Sequence, residues 1–337
     1  MSMTIASFRR TLLACGFGLT LLNASVHAAD SEDSLPLQKV QLPGSHNTYE
    51  KKDTFNSLAD AFSYVRMIEI DVWAQLDKWY VSHSNPVGND NNCPKSGVVG
   101  SDRNQDLRSC IDTIAAYHRQ NPNHPLLLVK FELKGGFFLG NSPQAFDNLI
   151  ADIRNGGANA RIPERDIFTP LDLRCGKGAC TATTPTLERV VADKGWPSLN
   201  DLKGKIMFMI VPGTVSDSAP REYARALSQG LARLAFPALI IKDQDTRTSY
   251  FGNDIGWNVI LDIQAGRLDG GTVAKSVVDG YHRKNMLLSI NDEAPGGTPV
   301  NVQAGRQRLQ QLARDYHANI VNTDQETSGI PYVFALP

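Results

Sequence analysis

The sequence lacks the short motifs that mark several large enzyme classes. It contains no G-x-S-x-G, H-E-x-x-H, G-x-x-x-x-G-K-[ST] or G-x-G-x-x-G pattern, so nothing indicates a nucleophile elbow, a zincin helix, a P-loop or a dinucleotide-binding turn. An excess of one charge is also absent. Lysine and arginine total 34 against 35 acidic residues, and no basic run occurs, so we expect no nucleic-acid partner.

Long apolar runs are scarce, and the longest is close to the N-terminus. "MSMTIASFRR" supplies basic residues, "TLLACGFGLTLL" is apolar, and "VHA" precedes Ala29. This order predicts a signal peptide over residues 1–28, cleaved after Ala28. The apolar stretch is too short for a membrane span. We therefore expect a soluble mature protein, residues 29–337, that is secreted or periplasmic.

Cysteine is rare, with five in the whole chain. Cys15 belongs to the predicted signal peptide, which leaves Cys93, Cys110, Cys175 and Cys180. An even number of cysteines in an oxidising compartment favours disulfides over a metal site. Of the three possible pairings, proximity along the chain predicts Cys93–Cys110 and Cys175–Cys180.

Short apolar runs alternate with amphipathic stretches along the rest of the chain. Helical patterns include "NQDLRSCIDTIAAYHRQ", "SPQAFDNLIADIRN", "PREYARALSQGLARLA", "GTVAKSVVDGYHRK" and "NVQAGRQRLQQLARDYH". The strand candidates are "KVQL", "RMIEIDVW", "LLLVKFEL", "KIMFMIV", "ALIIKD", "NVILDI", "NMLLSI" and "ANIVNTD". Eight such runs, mostly separated by helices, predict a parallel sheet closed into a TIM (β/α)₈ barrel. No repeat or linker interrupts this pattern, so we expect a single domain.

A short polar segment, "GSHN", follows the first predicted strand. Gly, Ser and Asn are ordinary turn residues, so a simple turn is one interpretation. However, barrel enzymes place their active sites at the carboxyl ends of the strands. That position makes His46 a candidate catalytic residue.

Carboxylates interrupt the next two strands. Glu69 and Asp71 in "RMIEIDVW" are two residues apart and share one strand face, and Glu132 stands near the end of "LLLVKFEL". Like charges in an apolar strand are costly unless a cation or strong donors offset them. One interpretation pairs them with Lys130, Lys134 or an arginine.

The other interpretation is a metal site. Asn47, Glu69, Asp71 and Glu132 all follow or end the first three strands, so their oxygens should meet at one barrel mouth. Hard oxygen ligands suit Ca²⁺ best, and Mg²⁺ less well because it keeps more water. Zinc is disfavoured because clustered His and Cys ligands are absent.

A second histidine reaches the same mouth through a hairpin. "DVWAQLDKWYVSH" predicts a turn near Asp77–Lys78 that pairs Val72 with His83, which brings His83 close to Asp71. The remaining histidines fall at predicted helix ends or in loops, where we expect surface roles: His118, His124, His282 and His317.

Several of these pieces, in this order, resemble the catalytic part of phosphoinositide-specific phospholipase C, above all its secreted bacterial, calcium-dependent branch. They are "GSHNTY", "EIDVW", "YVSHSNP", "VKFELK" and, at the last strand, "ANIVNTD". The resemblance implies a TIM barrel of the phospholipase C-like phosphodiesterase type. It further implies that His46 and His83 flank the scissile phosphodiester and that four residues bind Ca²⁺: Asn47, Glu69, Asp71 and Glu132.

The function implied is a secreted, calcium-dependent phosphatidylinositol-specific phospholipase C that releases diacylglycerol and inositol 1,2-cyclic phosphate. Two alternatives stay open: a barrel phosphodiesterase of the glycerophosphodiester or sphingomyelinase D type, and a non-catalytic secreted calcium-binding barrel. We expect a monomer acting on a phospholipid or a soluble inositol phosphodiester. The apolar loop "GGFFLG" is a candidate for transient contact with a membrane surface.

Overall fold

A computed structural model describes most of the chain. It covers residues 32–75, 78–86, 91–93, 107–137, 141–151, 162–176, 178, 180, 181, 184–292, 302–324 and 334–336. Within these ranges, no helix combines the length and the apolar character that crossing a membrane requires. The predicted signal peptide lies outside the described residues, so the division into signal peptide and barrel domain stays a prediction.

Ten strands occur in the described residues, and eight of them are parallel and close into the predicted barrel. The cyclic order is β1, β2, β4, β5, β6, β7, β8, β9, with β9 pairing back onto β1. The strands are β1 Val40–Ser45, β2 Met67–Gln75, β3 Lys78–Val81, β4 Leu127–Leu133, β5 Ile206–Pro212, β6 Ala235–Ile240, β7 Ile260–Gln264, β8 Leu287–Asp292, β9 Ile320–Thr323 and β10 Phe334–Ala335. All eight predicted strands are therefore present.

Closure of the barrel depends on β1. It pairs in parallel with β9 over four residues and with the start of β2 over two. A side chain at Gly44 would place its Cβ 2.7 Å from Met67 Cε and 3.1 Å from the Val321 carbonyl oxygen. A larger residue would therefore require Met67 and the Val321 backbone to shift, so glycine suits the point where these three strands approach one another.

The predicted hairpin forms, but its predicted register is wrong by two residues. Val72 pairs with Val81 rather than with His83, and Gln75 pairs with Lys78. Gln75 is the last paired residue of β2, so the connection begins one residue earlier than the predicted turn near Asp77–Lys78. Side chains alternate with a period of two, so this slip leaves His83 on the predicted face.

Helices surround the barrel in the described parts of the chain. The helical pattern in "PREYARALSQGLARLA" extends to residue 235, but the helix itself ends at Ser228. It is followed by Gly230, whose φ is 81°. The first connection contains a 3₁₀ helix, Leu58–Ser63. The α-helices are α1 Leu107–Gln120, α2 Pro143–Ala151, α3 Pro170–Cys175, α4 Leu187–Lys194, α5 Ser218–Ser228, α6 Arg247–Phe251, α7 Ala265–Asp269, α8 Lys275–Arg283 and α9 Val302–Tyr316.

Alternation along β2 divides the core into a barrel interior and an outer layer. Ile68 and Ile70 pack in the cluster that includes Ile111 of α1, so they face outward. The side chains between them face the interior. Lys130 on β4 confirms this, because its ammonium reaches Asp262 on β7, across the barrel, at 3.1 Å. Glu69 and Asp71 therefore point into the barrel.

Both predicted disulfides are present. Cys93 is bonded to Cys110 of α1, and Cys175 to Cys180. The bonded cysteines are 17 positions apart in the first and 5 positions apart in the second. Chain proximity was sufficient to select this pairing from the three that four cysteines allow.

The expectation of surface histidines is wrong for His118 and His124, which are 5% and 4% exposed. His118 Nδ1 lies 2.9 Å from His124 Nε2, and its Nε2 lies 3.2 Å from Asp166 Oδ2. His124 Nδ1 is 2.6 Å from the Pro125 carbonyl oxygen. The end of α1 packs against the segment entering β4, which buries both rings. His282 and His317 are partly exposed, and their rings stack at 4.0 Å.

Candidate active site

The loop after β1 holds the first candidate residues against β2. Asn47 adopts the left-handed region, with φ 46° and ψ 43°, which asparagine tolerates better than most residues. Its backbone N–H donates to Glu69 Oε2 at 3.3 Å. The Thr48 hydroxyl donates to the Ser45 carbonyl and accepts from the Glu69 N–H. These bonds fix His46 beside Glu69.

Glu69 is buried and fully engaged in hydrogen bonds. Lys130 Nζ lies 3.1 Å from its Oε1, and Asn322 Nδ2 donates to its Oε2 at 2.7 Å. Burial favours the neutral acid, but the Lys130 charge, with His46 and the Asn322 amide, lowers the pKa of Glu69 to about 2. Glu69 is therefore a carboxylate at neutral pH.

Asp71 has two oxygens in very different surroundings. Three donors surround Oδ2: Tyr49 Oη at 2.9 Å, Lys134 Nζ at 2.7 Å and His83 Nδ1 at 3.1 Å. Oδ1 is buried and has no hydrogen-bond partner among the described residues. Leaving such an oxygen unpaired is expensive, so Oδ1 is suited to a cation.

Glu132 repeats this asymmetry on the neighbouring strand. The register pairs Asp71 with Glu132, so the two carboxylates lie side by side. Lys134 Nζ is 3.0 Å from Glu132 Oε2, while the buried Oε1 has no partner in the described part of the chain. Burial and the adjacent Asp71 charge raise the pKa of Glu132 to about 7. A cation at this position would relieve the repulsion.

The three acids form one ligand group. One oxygen from each of Glu69, Asp71 and Glu132 lies within 4.8 Å of the others. The alternative from the sequence, pairing with lysine, also holds in part, since Lys130 and Lys134 each contact two carboxylates. The pairing leaves one oxygen of Asp71 and one of Glu132 unsatisfied. These residues therefore fit a Ca²⁺ ion.

His46 is oriented by a residue from the other end of the chain. Its Nδ1 lies 3.1 Å from Asp324 Oδ1, which also accepts from Lys51 Nζ at 3.2 Å. Burial opposes the charge on Asp324, but His46 and Lys51 lower its pKa to about 2. With Nδ1 held by a carboxylate, proton exchange falls to Nε2.

His83 lies next to Asn47. Asn47 Nδ2 is 3.3 Å from His83 Nδ1, and the side chain of His83 is 48% exposed. The hydrogen bond to Asp71 raises the pKa of His83 above its usual 6.5. The ring is therefore more strongly protonated near neutral pH than a free histidine.

A cleft of about 770 Å³ opens above these groups. Its lining includes both candidate histidines, Glu69 and Glu132. The segments that follow β5, β6 and β7 also line it and bring three cations that sequence reasoning did not identify: Arg221 on α5, Lys242, and Arg267 on α7. The cleft thus combines the histidines and acids of the candidate site with further charged groups of both signs, including Asp217 and Asp243.

Comparisons with known proteins agree with this geometry. A family model described as "Phosphoinositide phospholipase C, Ca2+-dependent" matches residues 100–238. The structure of a Ca²⁺-dependent phosphatidylinositol-specific phospholipase C from Streptomyces antibioticus is 30% identical, with 89% of this chain and 98% of that chain covered and a TM-score of 0.73. The chain belongs to the calcium-dependent phosphatidylinositol-specific phospholipase C family.

A second member of this enzyme family shares the fold. The calcium-dependent phosphoinositol-specific phospholipase C of a Gram-negative Pseudomonas sp., described as an apo form and myoinositol complex, is 21% identical. The superposition covers 91% of this chain and 97% of the Pseudomonas chain, with a TM-score of 0.67. Comparison with curated protein sequences gives no significant match.

Family membership confirms the predicted resemblance, the barrel type and a calcium-dependent phospholipase C-like enzyme. The two disulfides are typical of proteins outside the cytoplasm, in agreement with the predicted secretion or periplasmic location. The roles of the individual residues stay predictions, because the matched family range begins after both candidate histidines.

The structure brings all six predicted phospholipase C residues to one barrel mouth: His46, Asn47, Glu69, Asp71, His83 and Glu132. Sequence reasoning missed the groups that hold them, although "NTD" ended the last quoted strand. These are Tyr49, Lys51, Asn322 and Asp324, and an interior network below the site. In that network Lys130 Nζ donates to Asp262 Oδ2 and Asn291 Oδ1, and Asn322 Nδ2 donates to Asn291 Oδ1.

Proposed function

We propose that the chain cleaves phosphatidylinositol into diacylglycerol and inositol 1,2-cyclic phosphate with the help of Ca²⁺. The proposed metal ligands are Asn47, Glu69, Asp71 and Glu132. The observation that carries the proposal is the pair of buried, unpartnered oxygens, Asp71 Oδ1 and Glu132 Oε1, within one carboxylate group. Leaving two neighbouring carboxylate oxygens unpaired is costly, and a cation bound by both would remove that cost.

When bound, calcium supplies a Lewis acid that offsets phosphate charge and favours ionisation of the inositol 2-hydroxyl. His46 accepts the hydroxyl proton at Nε2, since its Nδ1 is held by Asp324. Glu69 is a poor rival base, because its pKa is about 2 and both of its oxygens are engaged.

His83 acts as the general acid. The 2-oxygen forms a bond to phosphorus, the bond from phosphorus to the glycerol oxygen breaks, and His83 gives that oxygen its proton. The hydrogen bond to Asp71 raises the pKa of His83, so the proton is available near neutral pH. Exposure to the cleft gives the ring access to substrate.

The engagement of the cleft cations within the protein supports a substrate whose inositol ring carries no additional phosphate, that is, plain phosphatidylinositol. Arg221 is paired with Asp217 at 3.2 Å, and Arg267 donates to the Lys242 carbonyl at 2.7 Å. Two of the three cations are thus already engaged within the protein. An additional phosphate on the ring would find fewer donors than their number suggests.

Contact with a lipid surface is supported by one exposed apolar residue at the mouth. Val215 is 72% exposed, and its N–H donates to the Lys134 carbonyl at 2.9 Å, which places it beside the metal ligands. In the loop "GGFFLG", residues 138–140 lie outside the described part of the chain. We infer a monomer that touches the membrane transiently through this rim.

The test is product analysis on phosphatidylinositol vesicles, with and without a calcium chelator. We expect calcium-dependent release of inositol 1,2-cyclic phosphate. Asp71→Asn and Glu132→Gln should weaken calcium binding by at least the ~10- to 100-fold that loss of an outer-shell partner costs. The matched control is Asp279→Asn, which neutralises an acid on the outer helix α8 and should behave like the wild type.

Other outcomes identify the alternatives. Undiminished cleavage in excess chelator would reject calcium assistance. Cleavage of glycerophosphodiesters or sphingomyelin without a cyclic inositol product would indicate the glycerophosphodiester or sphingomyelinase D type. Calcium binding without turnover of any diester would indicate a non-catalytic barrel.

A further inference from the structure

A lysine occupies the space between two proposed calcium ligands. Lys134 Nζ lies 2.7 Å from Asp71 Oδ2 and 3.0 Å from Glu132 Oε2, and its side chain is buried. It therefore bridges the two carboxylates through the oxygens that are not left for a metal. Sequence reasoning treated lysine and calcium as alternatives, whereas the geometry accommodates both.

The backbone of Lys134 is fixed in place. Its N–H donates to the Val72 carbonyl at 2.9 Å, and its own carbonyl accepts from the N–H groups of Val215 and Ser216. The following loop packs closely, since a Cβ on Gly213 would lie 2.5 Å from Lys134 Cα. The main chain therefore holds Lys134 in place beside the two carboxylates.

The carboxylates at this mouth have positively charged partners within the protein. Lys130 contacts Glu69, Lys134 contacts Asp71 and Glu132, and His83 also contacts Asp71. Lys130 is directed into the barrel interior, where it also contacts Asp262 and Asn291. Lys134 by contrast contacts both residues that have an unpartnered oxygen in the described part of the chain, Asp71 and Glu132.

We propose that Lys134 is an internal counter-ion that stabilises the metal-free site and weakens its affinity for calcium. This inference rests on the proposed function of the same site. An ammonium that contacts two metal ligands repels a bound dication and competes for the electron density of their carboxylates. The resulting affinity suits an enzyme outside the cell, where calcium-binding modules have Kd values of ~10⁻⁴–10⁻³ M.

The test is isothermal titration of calcium into chelator-treated protein. Lys134→Met keeps most of the side-chain volume and removes the charge, and it should bind calcium about tenfold more tightly than the wild type. Lys134→Arg keeps the charge and should stay close to the wild type. Tyr49→Phe removes a neutral donor from the same oxygen of Asp71 and should not tighten binding.

Thermal unfolding gives a second readout. Without calcium, Lys134→Met should melt below the wild type, because Asp71 and Glu132 then repel each other without a counter-ion. Saturating calcium should remove that deficit. A metal-free melting temperature equal to that of the wild type would count against the counter-ion role.

The binding data separate this inference from the proposed function. A wild-type protein that binds no calcium would reject the proposed metal site itself. Calcium binding by the wild type with unchanged or weaker binding by Lys134→Met would overturn only the counter-ion role. Equal tightening in Lys134→Arg would also overturn it, because charge would then not be the cause.

Discussion

Replacement of Asp324 tests the part of the site that sequence patterns did not reveal. Asp324→Ala removes the acceptor that holds His46 Nδ1 at 3.1 Å. A hydrogen bond to a charged group contributes ~1.5–3 kcal/mol, and partial exposure of Asp324 places it at the lower end. If this energy orients the ring in the transition state, kcat should fall about 10- to 30-fold, since each 1.36 kcal/mol is tenfold.

Two variants separate orientation from charge. Asp324→Asn offers a neutral oxygen to the same ring nitrogen, so it should retain more activity than Asp324→Ala. Lys51→Met removes a second partner of Asp324 but leaves the contact with His46, and it should lose the least activity. The assay is kcat and KM on phosphatidylinositol at saturating calcium, with melting temperatures as the check on folding.

Specific results would refute this reasoning. Wild-type kcat in Asp324→Ala would show that His46 needs no carboxylate partner. A loss confined to KM would assign Asp324 to substrate binding. Equal losses in Lys51→Met and Asp324→Ala would mean that the local charge balance matters rather than the ring orientation.

Three further predictions concern acid catalysis, pH and the lipid surface. His83→Ala and His46→Ala should each lose about 10²–10⁴-fold in activity on phosphatidylinositol. A substrate with a nitrophenol leaving group should restore much activity to His83→Ala and little to His46→Ala. Equal recovery in both variants would contradict the division of roles. Burial lowers the pKa of His124 below 6.5, so the unfolded chain takes up a proton first and the free energy of unfolding should fall as pH drops below about 6.5. Urea unfolding at about pH 7.5 and about pH 5.5 should show a smaller difference for His124→Asn, and an undiminished difference would assign the effect elsewhere. Val215→Glu should reduce activity on vesicles but not on a water-soluble substrate; loss on both would mean that Val215 supports the site itself.

Much of the site followed from local pattern. Apolar runs alternating with amphipathic stretches predicted eight strands and the barrel, because burial on both faces requires such composition. The period of two along a strand put Glu69 and Asp71 on one face, and barrel topology put the first strand ends at one mouth. The same period preserved the position of His83 although its hairpin register was wrong by two residues.

Tertiary structure alone decided which groups hold the predicted residues. His46 and Asp324 are 278 residues apart in sequence, and they meet because closure of the barrel sets β9 beside β1. Lys130 reaches Asp262, 132 residues further on, only through the barrel interior. Local composition contains no information on such pairs, since they depend on which strands become neighbours and on which face each side chain lies. For the same reason, only the folded chain shows that Lys134 takes one oxygen of Asp71 and leaves the other for a metal.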